Sequence, residues 1–289
     1  MKIGVFDSGY GGLTILDNIR QQLPQYDYLY LGDNARAPYG TRSYEVIYEY
    51  TLQAVRWLES QGCRLIILAC NTASAKALRT IQQHDINPDK LRVLGVIRPT
   101  VEAVDPEVHH IGILATPGTV SSGSYVIELE KRLASTETIG TLSAERSVFC
   151  QQSGLTISQQ ACPMWVPLIE AGEHNSDGAD YFVEKYLREL LDQDPQIDTI
   201  ILGCTHYPLL LPKIQACLTR LSHKADIICQ GSIVASSLKD YLNRHTDIES
   251  VLSRGGTCRY ITTESADKFR DNASVFLRNS IEVQHIELE

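Results

Sequence analysis

The sequence predicts an α/β protein with mainly parallel sheets, and three observations support this prediction. Short apolar runs alternate with longer amphipathic segments, an order typical of strands joined by crossover helices. Several runs, including residues 65–68, are apolar without interruption, as strands covered on both faces usually are. The length of 289 residues suits one large domain or two ordinary ones.

The individual elements follow from this alternation. Strands are predicted for the apolar runs at residues 2–6, 28–31, 64–69, 91–96, 111–115 and 199–202. Helices are predicted where apolar residues recur at helical spacing, at residues 11–23, 43–60, 71–82, 120–133, 180–191 and 209–221. Neither a low-complexity segment nor a clear flexible linker interrupts this order.

The composition of the chain argues against a nucleic-acid-binding protein and against a membrane protein. Acidic residues outnumber basic ones by 35 to 26, and no dense block of Lys and Arg offers a footprint for nucleic acid. No apolar run approaches the roughly 18 to 20 residues that a membrane span needs. The N-terminus leads directly into a strand and lacks the features of a signal peptide. We therefore expect a cytoplasmic protein that binds neither nucleic acid nor membrane.

Two of the eight cysteines differ from the rest. The cysteines form no CxxC pair, so we expect no metal site and mostly buried structural thiols, Cys162 included. Cys70 and Cys204, however, each follow a strongly apolar strand at the point where a helix begins. The positive end of a helix favours a thiolate. His206 lies close enough in sequence to serve Cys204 as a proton partner.

The two cysteine segments also resemble each other. Residues 66–72 and 200–206 each run from an apolar strand into small or hydroxyl-bearing residues, and residues 3–9 and 111–117 form a weaker second pair. Ligands of open α/β sheets bind at the carboxyl ends of strands. Two similar halves would therefore present equivalent strand ends to one cleft, unless the likeness of the strands arose by chance.

Two loops add candidate groups for a ligand. The glycine-rich loop at residues 7–12 follows the first strand, and its Asp7 suits binding of an ammonium group, acid–base chemistry or an ordinary turn. This loop lacks the GxGxxG spacing and the acidic residue of dinucleotide sites. The loop at residues 31–40, punctuated by Pro38 and Gly40, is either a surface turn or part of the site.

Two cysteines in one site suit racemisation at an α-carbon. This reaction removes a proton from one face of the carbon and returns one to the other, so two acid–base groups act without turning the substrate. One sulfur must be a thiolate while the other is a thiol, and a reference pKa of about 8.5 makes both forms accessible. Strand-end amides, Asn71, Thr72 and Thr205 are candidate donors to the developing carbanion.

The combined motifs resemble those of the glutamate racemases in the aspartate/glutamate racemase superfamily. The matching segments occur in the same order over most of the chain, at residues 6–12, 31–40, 69–74, 115–116, 161–163 and 203–208. Each motif alone is modest, whereas the ordered set is highly specific.

The resemblance implies roles for individual residues. Cys70 and Cys204 would be the two catalytic acid–base groups, with Asp7 and His206 as their respective partners. The first thiol would serve the D-enantiomer and the second the L-enantiomer. The residues expected to contact glutamate are Asp7, Ser8, Tyr39, Gly40, Asn71, Thr72, Thr205 and His206. The family uses no pyridoxal phosphate, metal or nucleotide, and it supplies D-glutamate for peptidoglycan.

The resemblance also implies an architecture. It predicts two three-layer α/β domains related by a pseudo-twofold axis, with the active site in the cleft between them. The first domain would combine residues 1–97 with residues 210–289, and the second would span residues 98–209. Family members are commonly dimers, so a homodimer is expected.

Other functions compete with this interpretation. A racemase of aspartate or another amino acid would share the motifs, because pocket length decides the substrate. A Cys–His hydrolase with Cys204 as nucleophile leaves Cys70 and Asp7 without a role. A pyridoxal-phosphate racemase needs a Schiff-base lysine, which the strand-end motifs lack. A non-catalytic binding protein would have no need for two strand-end thiols.

Overall fold

The computed structural model describes residues 1–133, 147–150, 155–277 and 281–288 of the chain. Its strands are β1 (Ile3–Asp7), β2 (Tyr28–Gly32), β3 (Leu65–Leu68), β4 (Arg92–Gly95), β5 (His110–Ala115), β6 (Ser147–Cys150), β7 (Leu155–Ala161), β8 (Thr199–Gly203), β9 (Asp226–Ile228), β10 (Cys258–Thr262) and β11 (Val283–His285). Its helices are α1 (Gly12–Gln22), α2 (Tyr44–Ser60), α3 (Asn71–Lys76), α4 (Leu78–Thr80), α5 (Ile97–Glu102), α6 (Pro117–Ser122), α7 (Ser124–Leu133), α8 (Trp165–Glu170), α9 (Asp177–Gln193), α10 (Leu211–Arg220), α11 (Gln230–Arg244), α12 (Thr246–Glu249) and α13 (Ala266–Ala273). None of the helices in these ranges is both long and apolar enough to cross a membrane.

The strands form two sheets of mainly parallel character. The first sheet has the order β11-β10-β2-β1-β3-β4, and all of these neighbours run parallel. The second has the order β6-β7-β5-β8-β9, in which β6 and β7 are antiparallel and the other neighbours are parallel. The structure thereby confirms the predicted α/β class with parallel sheets.

Both sheets are covered by side chains on both faces. In β1, Val5 packs into a core shared with α1 and α11, whereas the adjacent Phe6 packs into a core shared with α2. In β8, Ile201 packs towards α7 and the adjacent Leu202 towards α9. Because successive side chains of a strand point to opposite faces, each unit has three layers. This double burial explains why the strands are apolar runs without polar alternation.

Two of the predicted helices are each broken into shorter pieces in the structure. The predicted helix at 71–82 is divided into α3, α4 and a π-helical turn at Ile81–Asp85. The predicted helix at 120–133 is divided at Gly123, whose φ of 64° is a left-handed conformation that ends α6. The sequence patterns do not predict five strands, namely β6, β7, β9, β10 and β11.

Sheet membership bears on the predicted division into domains. Strands β5, β7 and β8 of the second sheet lie within residues 98–209, but β9 also pairs with β8 although residues 210–289 are predicted to belong to the first domain. The physical reason is that the apolar face of α10 packs on the second sheet, which carries the chain to β9 on that side. The chain returns to the first sheet with α11. The division into two domains itself stays a prediction.

Candidate active site

The carboxyl ends of β1, β3 and β8 meet at one pocket, where Asp7 ends β1 and Cys70 and Cys204 follow the other two strands. The pocket is lined by loops of both sheets, through Ser8, Ala37, Pro38, Tyr39, Gly40, Thr41, Cys70, Asn71, Thr72, Thr116, Pro117, Cys162, Pro163, Val166, Pro167, Glu170, Cys204, Thr205 and His206. Neither lysine nor arginine is among these lining residues. In the described ranges, no group of three or more His, Cys, Asp and Glu side chains is arranged to hold a metal ion.

Cys70 presents a protonated thiol to the pocket. The residue is buried at the start of α3, and its sulfur lies 3.3 Å from Oγ of Ser8. Burial and the neighbouring carboxylate of Asp7 raise the pKa of this thiol to about 12, and hydrogen bonds from Ser8 and the backbone of Ala73 oppose that rise. Cys70 therefore carries its proton at neutral pH and is suited to donate it.

Cys204 belongs to a chain of three interacting groups. Its sulfur lies 3.8 Å from Nδ1 of His206, and Nε2 of His206 lies 3.0 Å from Oε1 of Glu170. Burial by itself lowers the pKa of His206, but the hydrogen bonds with Cys204 and Glu170 outweigh burial and raise the pKa to about 10. His206 is therefore an imidazolium at neutral pH and can donate from both ring nitrogens.

Asp7 lies behind the pocket and not in its lining. The residue is buried, and its Oδ2 accepts a hydrogen bond of 3.0 Å from the backbone N–H of Gly9. Burial raises the pKa of Asp7, although the positive charge of His206 and the backbone N–H groups of Gly12 and Gly9 oppose that rise. A carboxyl group with a raised pKa is suited to exchange a proton with a neighbour.

The glycine-rich loop after β1 joins the two halves of the site. A Cβ atom at Gly11 would collide with Oγ1 of Thr205 and with the imidazole of His206. Thr14, in α1, donates a hydrogen bond of 3.1 Å to the backbone carbonyl of Thr205. The loop therefore needs glycine for close approach between backbone segments, and it holds the Cys204 segment against the Cys70 half.

The predicted contact residues gather at the pocket: Ser8, Tyr39, Gly40, Asn71, Thr72, Thr205 and His206 line it, and Asp7 lies behind it. The hydroxyl group of Tyr39 donates to the buried carboxylate of Asp33. Oγ1 of Thr72 lies 2.9 Å from Oγ1 of Thr116. The loop at residues 31–40 is thus part of the site and not a surface turn.

Among the pocket residues that the sequence does not single out as contacts, Glu170 and Thr116 make hydrogen bonds that bear on the site. Glu170 ends α8 and completes the chain of groups that begins at Cys204, yet no motif or spacing marks it. Thr116 has no predicted role beyond its place in the matching segment at residues 115–116; it lines the pocket and caps α6 by accepting from the N–H of Thr119. Cys162 is buried as predicted, and its thiol donates to the carbonyl of Gln160, but it also lines the pocket.

Replacing Glu170 with glutamine tests the interaction between Glu170 and His206. The amide keeps the shape of the side chain but removes a negative charge, so the pKa of His206 falls from about 10 towards its usual 6.5. If turnover requires the imidazolium, the alkaline limit of kcat/KM moves to lower pH by about one pH unit or more. The measurement is the pH profile of kcat/KM for both variants.

The pH dependence of the free energy of unfolding gives a second test of the interaction between Glu170 and His206, because the direction of its change is known. The stabilisation that His206 gains from its raised pKa is complete below pH 6.5 and is lost as the pH rises through about 10. In Glu170→Gln this loss begins at lower pH. The matched control is Glu173→Gln, because Glu173 is exposed and follows α8 closely in sequence. An alkaline limit that is the same in Glu170→Gln and in the control would contradict the coupling.

Comparisons with known proteins agree with this geometry. A family model described as Asp/Glu/Hydantoin racemase matches residues 3–235. The glutamate racemase of Ruegeria sp. (strain TM1040) is 39% identical over 293 aligned residues, covering 97% of this chain and 98% of the relative. Among solved structures, the Francisella tularensis glutamate racemase in complex with D-glutamate has a TM-score of 0.83 at 29% identity, covering 100% of this chain and 98% of that one. A glutamate racemase isoform from Bacillus anthracis has a TM-score of 0.82 at 30% identity, covering 99% and 97% of the two chains.

Proposed function

Because the chain belongs to the Asp/Glu/hydantoin racemase family, we propose that it interconverts L-glutamate and D-glutamate by proton transfer between Cys70 and Cys204. The observation that carries this proposal is the presence of two buried thiols in one pocket, each with a different proton partner. Cys70 is protonated beside Asp7, and Cys204 lies beside an imidazolium. A two-base racemase needs one group as the acid and another as the base, and these two thiols can supply both.

In the direction from L- to D-glutamate, Cys204 removes the α-proton. The imidazolium of His206 stabilises a thiolate at Cys204. As the C–H bond breaks, an S–H bond forms on Cys204 and the electron pair stays on the α-carbon. The thiol of Cys70 then protonates the opposite face of the carbon and becomes a thiolate.

The reverse reaction begins from the exchanged state. Cys70 is then the thiolate that removes the α-proton of D-glutamate, and Cys204 is the thiol that protonates the other face. Asp7, with its raised pKa, exchanges a proton with Cys70, and His206 exchanges one with Cys204. Water completes the balance: it takes a proton from His206 before that residue accepts one from Cys204, and it returns a proton to Asp7 after that residue has given one to Cys70.

The substrate is held by neutral donors in this proposal. The lining offers hydroxyl groups of Ser8, Thr72 and Thr205 but neither lysine nor arginine. These hydroxyls and the backbone N–H groups of the loops bind the two carboxylates of glutamate. Because such donors are fixed by the fold, they also stabilise the charge that develops as the α-proton leaves.

We extend the proposal to the cellular role. The similarity to glutamate racemases over nearly the full length of the chain supports a supply of D-glutamate for peptidoglycan synthesis in the cytoplasm. It also supports a homodimer and a reaction that uses no cofactor, and each of these statements is a proposal for this chain.

The geometry favours racemisation over a Cys–His hydrolase. A Cys–His hydrolase can also work with a thiolate beside an imidazolium, so the Cys204–His206 pair alone fits either reaction. A hydrolase would leave Cys70 without a role, whereas racemisation uses both thiols.

Deuterium incorporation tests the proposal directly. The purified protein is incubated with L-glutamate in D₂O, without added cofactor, while optical rotation and α-deuterium are followed. We expect rotation to be lost and deuterium to enter D-glutamate before it accumulates in the remaining L-glutamate. The reason is that the product-side thiol carries solvent deuterium, whereas return from Cys204 restores the original hydrogen.

Two other outcomes have definite meanings. Early deuterium in both enantiomers would indicate a single exchanging base and contradict the two-thiol mechanism. Turnover of L-aspartate without turnover of L-glutamate would keep the chemistry but reject the proposed substrate.

A further inference from the structure

A buried polar cluster behind the pocket connects the segments that carry the two thiols. Its members are Asn71, Thr100, Tyr125 and Gln230, each at most 2% exposed, and we call them the polar clamp. They come from four helices, namely α3, α5, α7 and α11. Asn71 also lines the pocket, but the other three members do not, and the two-thiol mechanism gives those three no role.

Three members of the polar clamp form a closed ring of hydrogen bonds. The hydroxyl group of Tyr125 donates to Oδ1 of Asn71 at 2.7 Å. Nδ2 of Asn71 donates to Oε1 of Gln230 at 2.6 Å, and Nε2 of Gln230 donates back to the hydroxyl of Tyr125 at 2.8 Å. Within the ring each group donates one bond to the next group and accepts one from the group before it, an arrangement in which neighbouring bonds strengthen one another. Nε2 of Gln230 also lies 3.2 Å from Oδ1 of Asn71.

The fourth member fixes the orientation of the ring. The hydroxyl of Thr100 donates to the carbonyl of Val96 at 2.7 Å, so its oxygen is available to accept from Nε2 of Gln230 at 2.8 Å. Rotating the Gln230 amide by half a turn would face its oxygen towards Tyr125 and Thr100, whose hydrogens are already donated elsewhere. The direction of every bond in the ring is thus set by the groups around it.

The polar clamp touches both catalytic segments. Asn71 directly follows Cys70 in sequence. The ring of Tyr125 packs against Gly203, which directly precedes Cys204, so closely that a Cβ at Gly203 would lie 3.1 Å from Cε2 of Tyr125. Tyr125 therefore contacts both segments: the backbone of Gly203, directly before Cys204, and the side chain of Asn71, directly after Cys70.

We propose that Tyr125 and Gln230 are positioning residues that fix the separation of the two thiols across the substrate. This inference rests on the proposed racemase function and adds to it the residues that hold the two bases in register. Proton transfer depends steeply on distance, so a displacement of about 1 Å can cost about 100-fold in rate. A buried ring whose bonds are all satisfied is rigid enough to prevent such a displacement.

The variant Tyr125→Phe tests the proposal, because it removes the hydroxyl that closes the ring while leaving the aromatic ring against Gly203. We expect kcat to fall about 10- to 100-fold in both directions, while KM changes by less than about threefold, because neither Tyr125 nor Gln230 lines the pocket. Gln230→Met is a second variant that keeps the length of the side chain and removes both of its hydrogen-bonding groups, and we expect the same split between kcat and KM.

The matched control is Tyr28→Phe. Tyr28 is buried in the first sheet, and its hydroxyl donates to the carbonyl of Leu23 at 2.6 Å, away from both thiols. This variant also loses one buried hydroxyl, so thermal unfolding should show a comparable loss of stability. Its kcat should match that of the wild-type protein.

A readout independent of turnover separates this proposal from the proposed function. The rates at which iodoacetamide alkylates Cys70 and Cys204 are followed by mass spectrometry of the peptides. We expect both rates to rise several-fold in Tyr125→Phe and in Gln230→Met, but not in Tyr28→Phe. A wild-type protein that does not racemise glutamate would reject the proposed function, and the alkylation rates would still decide on the clamp.

Two results would overturn the polar clamp. One is a kcat in Tyr125→Phe that stays within about twofold of the wild-type value, because that hydroxyl would then position nothing. The other is an equal loss of kcat in Tyr28→Phe, because general destabilisation would then explain the effect.

Discussion

Replacing either Cys70 or Cys204 with serine is expected to reduce racemisation by at least about 10³-fold. A serine hydroxyl is a far weaker acid than a thiol, so its conjugate base is not accessible at neutral pH. Each turnover needs a base on one face of the α-carbon and an acid on the other, so one substitution stops both directions. Polarimetry started from each enantiomer of glutamate measures the rates.

The two directions provide an internal check on these variants. Enantiomers have equal free energies in water, so kcat/KM must fall by the same factor in both directions, whichever thiol is replaced. The control is Cys258→Ser at the start of β10, a partly buried thiol outside the pocket, which should leave the rates unchanged. If Cys70→Ser or Cys204→Ser kept more than about a tenth of the wild-type kcat/KM, one of the two thiols would suffice for turnover.

The second large effect is expected for His206→Asn. The amide cannot carry a positive charge, so the charge beside Cys204 is lost, and the carboxylate of Glu170 is left without its cationic partner. We expect kcat/KM to fall about 10²- to 10³-fold, the range seen when one preorganised donor is removed from a reacting centre. The alkaline limit set by His206 should disappear from the pH profile of the residual activity.

A half-buried histidine elsewhere in the chain supplies the control. Nδ1 of His110 lies 2.7 Å from Oδ2 of Asp194, a comparable His–carboxylate pair at the start of β5 and away from the pocket. His110→Asn should cost stability without changing kcat/KM. Equal activity losses in His110→Asn and His206→Asn would show that a global change in the fold, and not the loss of an imidazolium, reduces turnover.

Both thiols were predictable from the sequence because each depends on local pattern. An apolar run that ends in a cysteine at a helix start already places that sulfur at the carboxyl end of a buried strand. Two such endings in parallel sheets predict a shared cleft. Asp7 and His206 were predictable for the same reason, since each lies within three residues of a strand end.

The remaining parts of the site depend on contacts that no local pattern reveals. Gln230 is separated from Asn71 by 159 positions, and its partners are fixed only when four helices have packed. Glu170 reaches His206 from a short helix without a catalytic motif. The three-residue strand β9 is too short for periodicity to reveal, so its pairing with β8 in the second sheet was not predicted.

The absence of lysine and arginine from the pocket lining has a consequence for how the substrate arrives. The chain carries a formal net charge of −9, and glutamate is itself an anion, so no long-range attraction draws it in. Hydroxyl and N–H dipoles act only at contact, inside the screening length of about 8 Å at physiological salt. Capture should therefore be slower than in sites with a cationic clamp, and it should not slow further as ionic strength rises, because salt screens a repulsion here and not an attraction.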